Sequence, residues 1–204
     1  MQIIKINLNK ITQEQIDLIV DYLKQGLVIA YPTDTVYGLG CDARNVEAIK
    51  RINKIKNQKI KKLKKQENKR PLLVLISDYK MLRQYCFINQ EQEKYLASIW
   101  PGSVTVILKR RPNLPPELTG GLNSLAVRLP KSEFLIKIIS KVGFPLVSTS
   151  LNKKADKPLS DVQNLEKYFK YLPDLTIDAG ECKKTKPSSL VDIRDVENIK
   201  VLRK

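Results

Sequence analysis

The sequence contains no histidine among its 204 residues. This absence excludes histidine-based catalytic triads, imidazole metal ligands and the commonest general base of enzymes. Cysteine is also scarce: Cys41, Cys86 and Cys182 lie far apart and form neither a disulfide framework nor a zinc-binding spacing. We therefore expect free thiols and no metal ion held by the protein, and any catalysis has to proceed without histidine.

Long apolar stretches are missing as well. The longest uncharged apolar runs, such as "LVIAY" and "LLVLI", have the length of strands, whereas a membrane span needs about 18 residues. The start of the chain, "MQIIKINLNK", lacks the apolar region and cleavage site of a secretory signal. We expect a cytoplasmic protein in which residues 1–204 form a single domain.

Positive charge is what the sequence has in excess. Lysine and arginine number 37 against 21 acidic residues, a net charge of +16, which favours anionic partners such as nucleotides, phosphates or nucleic acid. Only 9 of the basic residues are arginine. A bias of this kind towards lysine also arises from the base composition of a genome, without selection for anion binding. The basic run 56–70, with Glu67 as its one acid, is either a solvated loop or helix extension, or a positively charged lip over an anion site.

The spacing of apolar residues predicts strands that alternate with helices. Thr12 and Gln15 have the spacing of a capping box, Gly26 is placed to end that helix, and Asn45 is placed to begin the next one. Further helices are predicted near 78–84, 90–100, 133–142 and 161–170, and strands near 3–8, 27–31, 71–77, 103–109, 124–130, 145–152, 175–178, 189–193 and 199–203. Residues 112–124 are predicted to be a loop. This alternation indicates an α/β layer fold.

Four stretches place polar groups beside an apolar strand, namely "AYPTDTVYGLG", "WPGSVTVILK", "LAVRLP" and "PLVSTSLN". Ligands of open α/β sheets gather where strands end. Serine and threonine at such ends cap backbone groups more often than they bind a ligand, so each stretch alone is a weak signal. Arg128 is a stronger one, because its guanidinium needs either an internal acid in a core salt bridge or the carboxylate or phosphate of a ligand.

Taken together and in order, "PTDTVYGLG", "RPLLVLI", "WPGSVTVILK", "AVRLP", "STSLN" and "PSSLVD" resemble the threonylcarbamoyl-AMP synthase family, which has a YrdC-like domain. The resemblance extends from about residue 10 to residue 204. It implies a twisted, mixed, open α/β sheet flanked by helices, with a basic concave groove.

The resemblance also implies an enzyme, a nucleotidyltransferase. Members of the family make threonylcarbamoyl-adenylate from threonine, bicarbonate and ATP, with release of pyrophosphate, and Mg²⁺ is expected to accompany ATP as part of the substrate. The product would serve the threonylcarbamoyladenosine modification of tRNA through a separate threonylcarbamoyl transferase. The resemblance further allows tRNA or other RNA as a partner.

The absence of histidine is compatible with that chemistry. The nucleophile would be a carbamate formed from the amine of threonine, and a carbamate is already an anion. No side chain then has to remove a proton before the attack on the α-phosphorus. What remains for the protein is the alignment of two anions and the stabilisation of charge on phosphate.

Individual residues are assigned by their positions in the matching motifs. The resemblance places three residues at the threonine site: Thr33, Arg128 and Ser188. It places seven residues at the ATP site: Lys56, Arg70, Thr105, Ser148, Ser150, Asn152 and Arg203.

The sequence departs from the family pattern around the expected nucleotide site. Gln58 stands where the arginine of a Lys-x-Arg element is expected, and Leu75 where the family often has histidine. Leu151 replaces a small alanine, and "NKKAD" after Ser150 replaces the usual Asn-x-Ser-Gly. Two other functions therefore stay open: a non-enzymatic YrdC-like RNA-binding protein, or a paralogue that binds or hydrolyses the adenylate.

Overall fold

A computed structural model describes residues 1–57, 71–154, 156–182 and 186–204. Ten strands and seven helices lie within these ranges. In chain order they are β1 Gln2–Lys5, α1 Gln13–Lys24, β2 Ile29–Tyr31, β3 Gly38–Gly40, α2 Val46–Lys56, β4 Leu73–Leu75, α3 Tyr79–Tyr85, α4 Gln90–Ile99, β5 Val104–Lys109, α5 Pro116–Thr119, β6 Ser124–Arg128, α6 Glu133–Val142, β7 Leu146–Ser150, α7 Leu165–Tyr168, β8 Leu175–Asp178, β9 Ser189–Asp192 and β10 Lys200–Arg203.

All ten strands belong to one mixed sheet in the order β1-β8-β2-β3-β7-β4-β6-β5-β9-β10. Strand β4 lies near the middle, parallel to β6 and antiparallel to β7, while β5 pairs with β9 in parallel and with β6 in antiparallel register. Segments far apart in the sequence are therefore neighbours in the sheet. The expected α/β class, with a mixed sheet flanked by helices, is confirmed.

The predicted helix starts are confirmed by their caps. The Thr12 hydroxyl accepts the N–H of Gln15 (3.2 Å), whose side chain accepts the N–H of Thr12 (3.1 Å), which completes the capping box. Asn45 Oδ1 accepts the N–H of Ala48 (3.0 Å) at the start of α2. The apolar faces of α1 and α2 are buried, so each helix is fixed by a polar cap at its start and by packing along its length.

Strand β3 was not predicted, because two of its three residues are glycines, which are poor strand formers. The structure explains the glycine at position 40. A Cβ atom there would lie 2.5 Å from the carbonyl oxygen of Val147 and 2.6 Å from the Tyr31 ring. Only a bare backbone lets β3 fit between β2 and β7, so the close approach of neighbouring groups overrides strand propensity.

Two other predictions need correction. The predicted loop 112–124 contains the short helix α5, which begins with Pro116 and ends at Gly120 in a left-handed conformation. The helix predicted near 161–170 covers only the four residues of α7. Asp161 accepts the N–H of Gln163 (2.9 Å) and Asn164 has a φ of 59°, so local turn chemistry replaces the first half of the expected helix.

The apolar side chains of the strands and of the inner helix faces form the core. It includes Leu151, which stands where the family pattern has a small alanine and is fully buried. Cys41 and Cys86 are buried thiols and Cys182 is partly buried; all three are free, as expected. Within the described ranges, no helix has the length and apolar character needed to cross a membrane.

Candidate functional site

A cavity of about 240 Å³ opens where the β2–β3 loop meets the ends of several strands. Its wall is made by residues from seven parts of the chain. They are Thr33, Thr35, Val36, Tyr37, Gly38, Pro71, Leu72, Leu73, Thr105, Ile107, Ala126, Arg128, Ser148, Thr149, Ser150, Pro187, Ser188, Leu190 and Arg203. Seven of the ten residues assigned from the sequence are in this wall: Thr33, Thr105, Arg128, Ser148, Ser150, Ser188 and Arg203.

Thr33 forms the turn at the floor of the cavity. Its hydroxyl donates to the carbonyl of Val36 (2.6 Å) and accepts the N–H groups of Thr35 (3.0 Å) and Val36 (3.1 Å). One donor and two acceptor sites are all that a hydroxyl offers, so this group is fully used by its own loop. A hydrogen bond from the Thr33 hydroxyl to a substrate would have to replace one of these partners.

The sequence left two alternatives for Arg128, a core salt bridge and a place in a ligand site, and the structure gives it both an internal acid and a position in the cavity wall. It lines the cavity, and its side chain is 5% exposed. Nη2 donates to Asp34 Oδ2 (2.7 Å), Nη1 to the Thr35 hydroxyl (3.3 Å) and Nε to the Gly102 carbonyl (2.8 Å). Burial lowers the pKa of Arg128, and the charge of Asp34 opposes that shift. The guanidinium is thus a core ion-pair partner and a fixed donor in the wall.

Asp34 is a site residue to which the sequence analysis gave no role, although it lies in the "PTDT" stretch. Its Oδ2 pairs with Arg128 and also accepts the N–H of Lys131 (3.3 Å). Its Oδ1 is buried and has no hydrogen-bond partner among the described residues. Since the pairing residue lies 94 positions away, only the folded structure could identify this acid as the internal partner of Arg128.

Thr105, Ser188 and Arg203 form one hydrogen-bonded group in the wall. The hydroxyls of Thr105 and Ser188 are 2.8 Å apart, and Arg203 Nε donates to the Ser188 carbonyl (2.9 Å). Thr105 is fully buried in β5, whereas Arg203 lies on the exposed edge strand β10. Burial lowers the pKa of Arg203. The group joins β5, β9 and β10 and points a second guanidinium towards the cavity.

Lys56 and Asn152 do not line the cavity but contact its wall through Ser150. Lys56 Nζ donates to the carbonyl of Ser150 (2.6 Å), to Asn152 Oδ1 (2.8 Å) and to the Asn152 carbonyl (3.3 Å). The Ser150 hydroxyl also donates to Asn152 Oδ1 (2.7 Å). Burial lowers the pKa of Lys56 to about 8. Each ammonium N–H therefore has an oxygen partner, and Lys56 holds the loop that follows β7.

Tyr37 is another wall residue that the sequence analysis did not select. Its hydroxyl donates to the Gly180 carbonyl (2.7 Å) and accepts the N–H of Ala179 (3.0 Å), which ties the segment after β8 to the floor. Burial raises the pKa of Tyr37 to about 12. An aromatic residue after "PTDTV" gave no signal that distinguished a wall residue from a core residue.

The wall has a simple electrostatic composition. Within the described residues it contains the two guanidiniums of Arg128 and Arg203, several hydroxyls and no carboxylate. No group of three or more cysteine, aspartate and glutamate side chains that could hold a metal ion occurs in the described ranges. The remaining assigned residue, Arg70, lies outside those ranges, as do Gln58 and most of the basic run 56–70.

The fold and the site define a class of protein: a mixed α/β protein with a cavity at its strand ends, whose described wall carries two guanidiniums and no carboxylate. The family model described as "Telomere recombination", the Sua5/YciO/YrdC model, matches residues 21–204. The chain belongs to this family, which confirms the prediction from the sequence.

Relatives of this chain agree with that membership. It is 34% identical over 170 residues to a threonylcarbamoyl-AMP synthase of Buchnera aphidicola subsp. Acyrthosiphon pisum, an alignment covering 81% of this chain and 91% of the relative. It is 31% identical over 173 residues to a threonylcarbamoyl-AMP synthase of Thiobacillus denitrificans, covering 84% and 87%.

Two solved structures have the same fold. E. coli YciO superposes with a TM-score of 0.86 at 26% identity, covering 100% of this chain and 95% of that one. P. abyssi Sua5 complexed with L-threonine superposes with a TM-score of 0.83 at 28% identity. That comparison covers 94% of this chain and 54% of the Sua5 chain, so this chain spans about half the length of that protein.

Proposed function

We propose that this chain is a threonylcarbamoyl-AMP synthase, a nucleotidyltransferase that acts on threonine, bicarbonate and ATP. The observation that carries the proposal is the shared cavity, in which Thr33, Arg128, Ser150 and Arg203 meet although they are far apart in the sequence. Two fixed guanidiniums and a wall free of carboxylates, among the described residues, suit two anionic reactants. The names of the relatives support the same activity.

The proposed reaction balances without a redox partner. The amine of threonine condenses with bicarbonate to give a carbamate and water. A carbamate oxygen then attacks the α-phosphorus of ATP, the bond between that phosphorus and the bridging oxygen of the β-phosphate breaks, and pyrophosphate leaves. Because the attacking group is already an anion, the protein needs to align the reactants and stabilise charge rather than move a proton.

The two guanidinium groups of the wall suit different parts of the reactants. Arg128 is fixed by three partners in its wall and is proposed to bind the carboxylate of threonine, with Thr33 forming the floor beside it. Arg203 has a more open position and, with the Thr105 and Ser188 hydroxyls, is proposed to bind phosphate. Ser148 and Ser150 line the same cavity from β7, where we propose that they donate to the nucleotide.

Magnesium enters this proposal with the nucleotide. Mg²⁺ prefers oxygen ligands and is commonly held by one or two carboxylates together with substrate phosphates. The described wall residues supply hydroxyls and no carboxylate, so they do not fit a metal ion held by the protein. We therefore treat Mg²⁺ as part of the ATP substrate and assign it no step of its own.

The product defines the partners that we propose. A mixed anhydride of a carbamate and a phosphate is reactive, so a separate transferase that passes the threonylcarbamoyl group to tRNA would be its consumer. Direct binding of tRNA or other RNA by this chain is the second part of that proposal, and the net charge of +16 favours it.

The test is synthesis by the purified full chain from ATP, threonine, bicarbonate and Mg²⁺. We expect pyrophosphate release and threonylcarbamoyl-AMP, detected by mass spectrometry, only when all substrates are present. Arg203→Ala should lower the rate about tenfold or more, since contacts to charged groups contribute about 1.5–3 kcal/mol. Arg194→Ala is the control, because Arg194 pairs with Asp192 outside the cavity wall.

Each alternative from the sequence predicts a different result. A paralogue that hydrolyses the adenylate would release no pyrophosphate from ATP but would degrade preformed threonylcarbamoyl-AMP. A non-enzymatic RNA-binding protein would do neither and would bind RNA with an affinity that falls steeply with salt. Failure to release pyrophosphate beside an active control synthase would reject the proposed function.

A further inference from the structure

The loop 151–159 after β7 departs from the family pattern, yet the structure holds it at several points. The N–H of Lys154 donates to the carbonyl of Lys56 at the end of α2 (2.8 Å), and the N–H of Leu159 to the carbonyl of Leu151 (3.0 Å). The second of these bonds closes the two ends of the loop, and the first ties its middle to α2. A further contact acts on the same stretch, where the sequence "NKKAD" replaces the Asn-x-Ser-Gly of the family pattern.

Tyr168, the last residue of α7, contacts the middle of this loop. Its hydroxyl accepts the N–H of Lys153 (3.3 Å) and donates to Asp156 Oδ2 (2.6 Å). A hydrogen bond to a carboxylate is among the stronger ones in proteins. The hydroxyl thus joins Lys153 and Asp156 of the loop and connects both to the end of α7.

The ring of Tyr168 is itself held in place. It packs edge-on against Phe169, with ring centroids 4.6 Å apart, and Phe169 is buried. Lys153 Nζ lies 4.5 Å from the centre of the ring. Burial, together with the neighbouring Asp156, raises the pKa of Tyr168, so its hydroxyl remains a protonated donor at neutral pH.

The contact reaches the cavity through two further bonds. Asp156 fixes the loop through its main chain as well as its side chain, because its carbonyl accepts a hydrogen bond from Asn152 Nδ2 (2.5 Å). Asn152 Oδ1 in turn accepts both the Ser150 hydroxyl and Lys56 Nζ. A displaced loop would therefore move the hydroxyl of a wall residue and the charge beside it.

We propose that Tyr168 is a positioning residue for the nucleotide, which it serves by fixing the loop that carries Asn152. The inference rests on the proposed function and adds to it a residue outside every motif of the sequence resemblance. Tyr168 and Asp156 hold the loop at the place where this sequence departs from the family motif. A loop that is ordered before ATP arrives does not have to be ordered during binding, which strengthens affinity.

The experiment compares wild-type protein with Tyr168→Phe, which keeps the ring but removes both hydrogen bonds. We expect the Kd and KM for ATP to rise about fivefold to tenfold, as for the loss of one to two hydrogen bonds. The KM for threonine should change less than about twofold, since Arg128 and Thr33 lie on other elements. In the ligand-free protein, amide hydrogen exchange should become faster in residues 151–157 and stay unchanged in α1.

Two further variants separate positioning from general loss of stability. Tyr22→Phe is the matched control, because its hydroxyl donates to Gln2 Oε1 (2.5 Å) away from the cavity and should affect neither substrate. Asp156→Asn keeps an acceptor for Tyr168 and should weaken ATP binding less than Tyr168→Phe does. The double variant should be no weaker than Tyr168→Phe alone, as expected for two groups that act through one contact.

Every outcome decides the inference. Unchanged ATP affinity in Tyr168→Phe, with normal ATP binding by the wild type, would overturn the inference and leave the proposed function intact. An equal loss for ATP and threonine with a lower melting temperature would overturn it in favour of a structural role. A wild-type protein that binds no ATP would overturn the proposed function and the nucleotide role of Tyr168 together.

Discussion

At the scale of single residues, Arg128 joins folding to ligand binding. A buried guanidinium needs a counter-charge, and Asp34 provides it at 2.7 Å with side chains that are only 5% and 17% exposed. The pair fixes the guanidinium, so its remaining N–H groups keep their direction when the cavity is empty. Removing the arginine should therefore affect stability as well as threonine binding.

We predict that Arg128→Ala lowers the free energy of unfolding by about 3 kcal/mol, since it leaves the Asp34 carboxylate buried and unpaired. Threonine binding, measured by calorimetry, should be lost. The double variant Asp34→Ala/Arg128→Ala should recover part of the stability in urea unfolding, because no lone buried charge remains, but should not recover threonine binding.

The control for this prediction is Arg194→Ala. Arg194 and Asp192 also lie 2.7 Å apart, but the arginine side chain is 54% exposed, so its loss should cost less than about 1 kcal/mol. Wild-type stability in Arg128→Ala would contradict the structural part of the argument. Threonine binding by the double variant would contradict the binding part.

At the scale of elements, the end of α2 and the loop after β7 hold each other. Lys56 ends the helix, its carbonyl accepts the N–H of Lys154, and its ammonium donates to Ser150 and Asn152. Burial lowers the pKa of Lys56 to about 8, within the range of an ordinary assay. Above that pH the ammonium loses one donor and its charge, and the loop loses part of its support.

We predict that the affinity for ATP falls as the pH rises through about 8, and that threonine affinity does not follow the same curve. The sign for stability is opposite. From about pH 8 to about pH 10.4 the unfolded chain binds the proton that folded Lys56 has lost, so this residue's contribution to stability rises with pH. Weaker ATP binding in that range would thus not result from unfolding caused by Lys56.

Lys56→Arg tests the assignment, because a guanidinium keeps its proton far above pH 8. In this variant the alkaline loss of ATP affinity should move to higher pH. Lys54→Arg, an exposed position on the same helix whose side chain stacks on Tyr171, should keep the wild-type curve. An unchanged curve in Lys56→Arg would assign the titration to another group.

Elements also differ in how far the sequence predicts them. Helices α1 and α2 followed from apolar spacing and from caps at Thr12 and Asn45, because both signals are local. Strand β3 was missed, because the glycine at position 40 is explained by Val147 and Tyr31, which approach it in space. The first half of the predicted 161–170 helix was wrong for a local reason that apolar spacing does not register, namely the turns at Asp161 and Asn164.

At the scale of the whole molecule, the sheet order brings the site together. Residues 33 and 203, at opposite ends of the chain, face one cavity because β3 and β10 lie on the two sides of the strands that form its wall. The sequence indicated most of the wall residues through ordered motifs. It gave no indication of Asp34 as the partner of Arg128, or of Tyr168 as a contact of Asp156, because both pairings depend on how distant segments meet.

The charge of the molecule gives a last prediction. Net charge is +16, but charges beyond about 10 Å are largely screened at about 0.1 M salt and beyond about 3 Å at about 1 M. The Kd for ATP should therefore rise about tenfold or more between these salt concentrations, whereas the Kd for zwitterionic threonine should change less than about threefold. Arg203→Gln should remove much of the salt dependence, because Arg203 lines the cavity.

The control replaces the exposed Lys24 and Lys94 with glutamine, which should change ATP affinity less than about twofold at about 0.1 M salt. An ATP affinity that is independent of salt would mean that fixed positive charge does not hold the nucleotide, and equal effects of the remote lysines and Arg203 would mean that the overall field, rather than the cavity, attracts it.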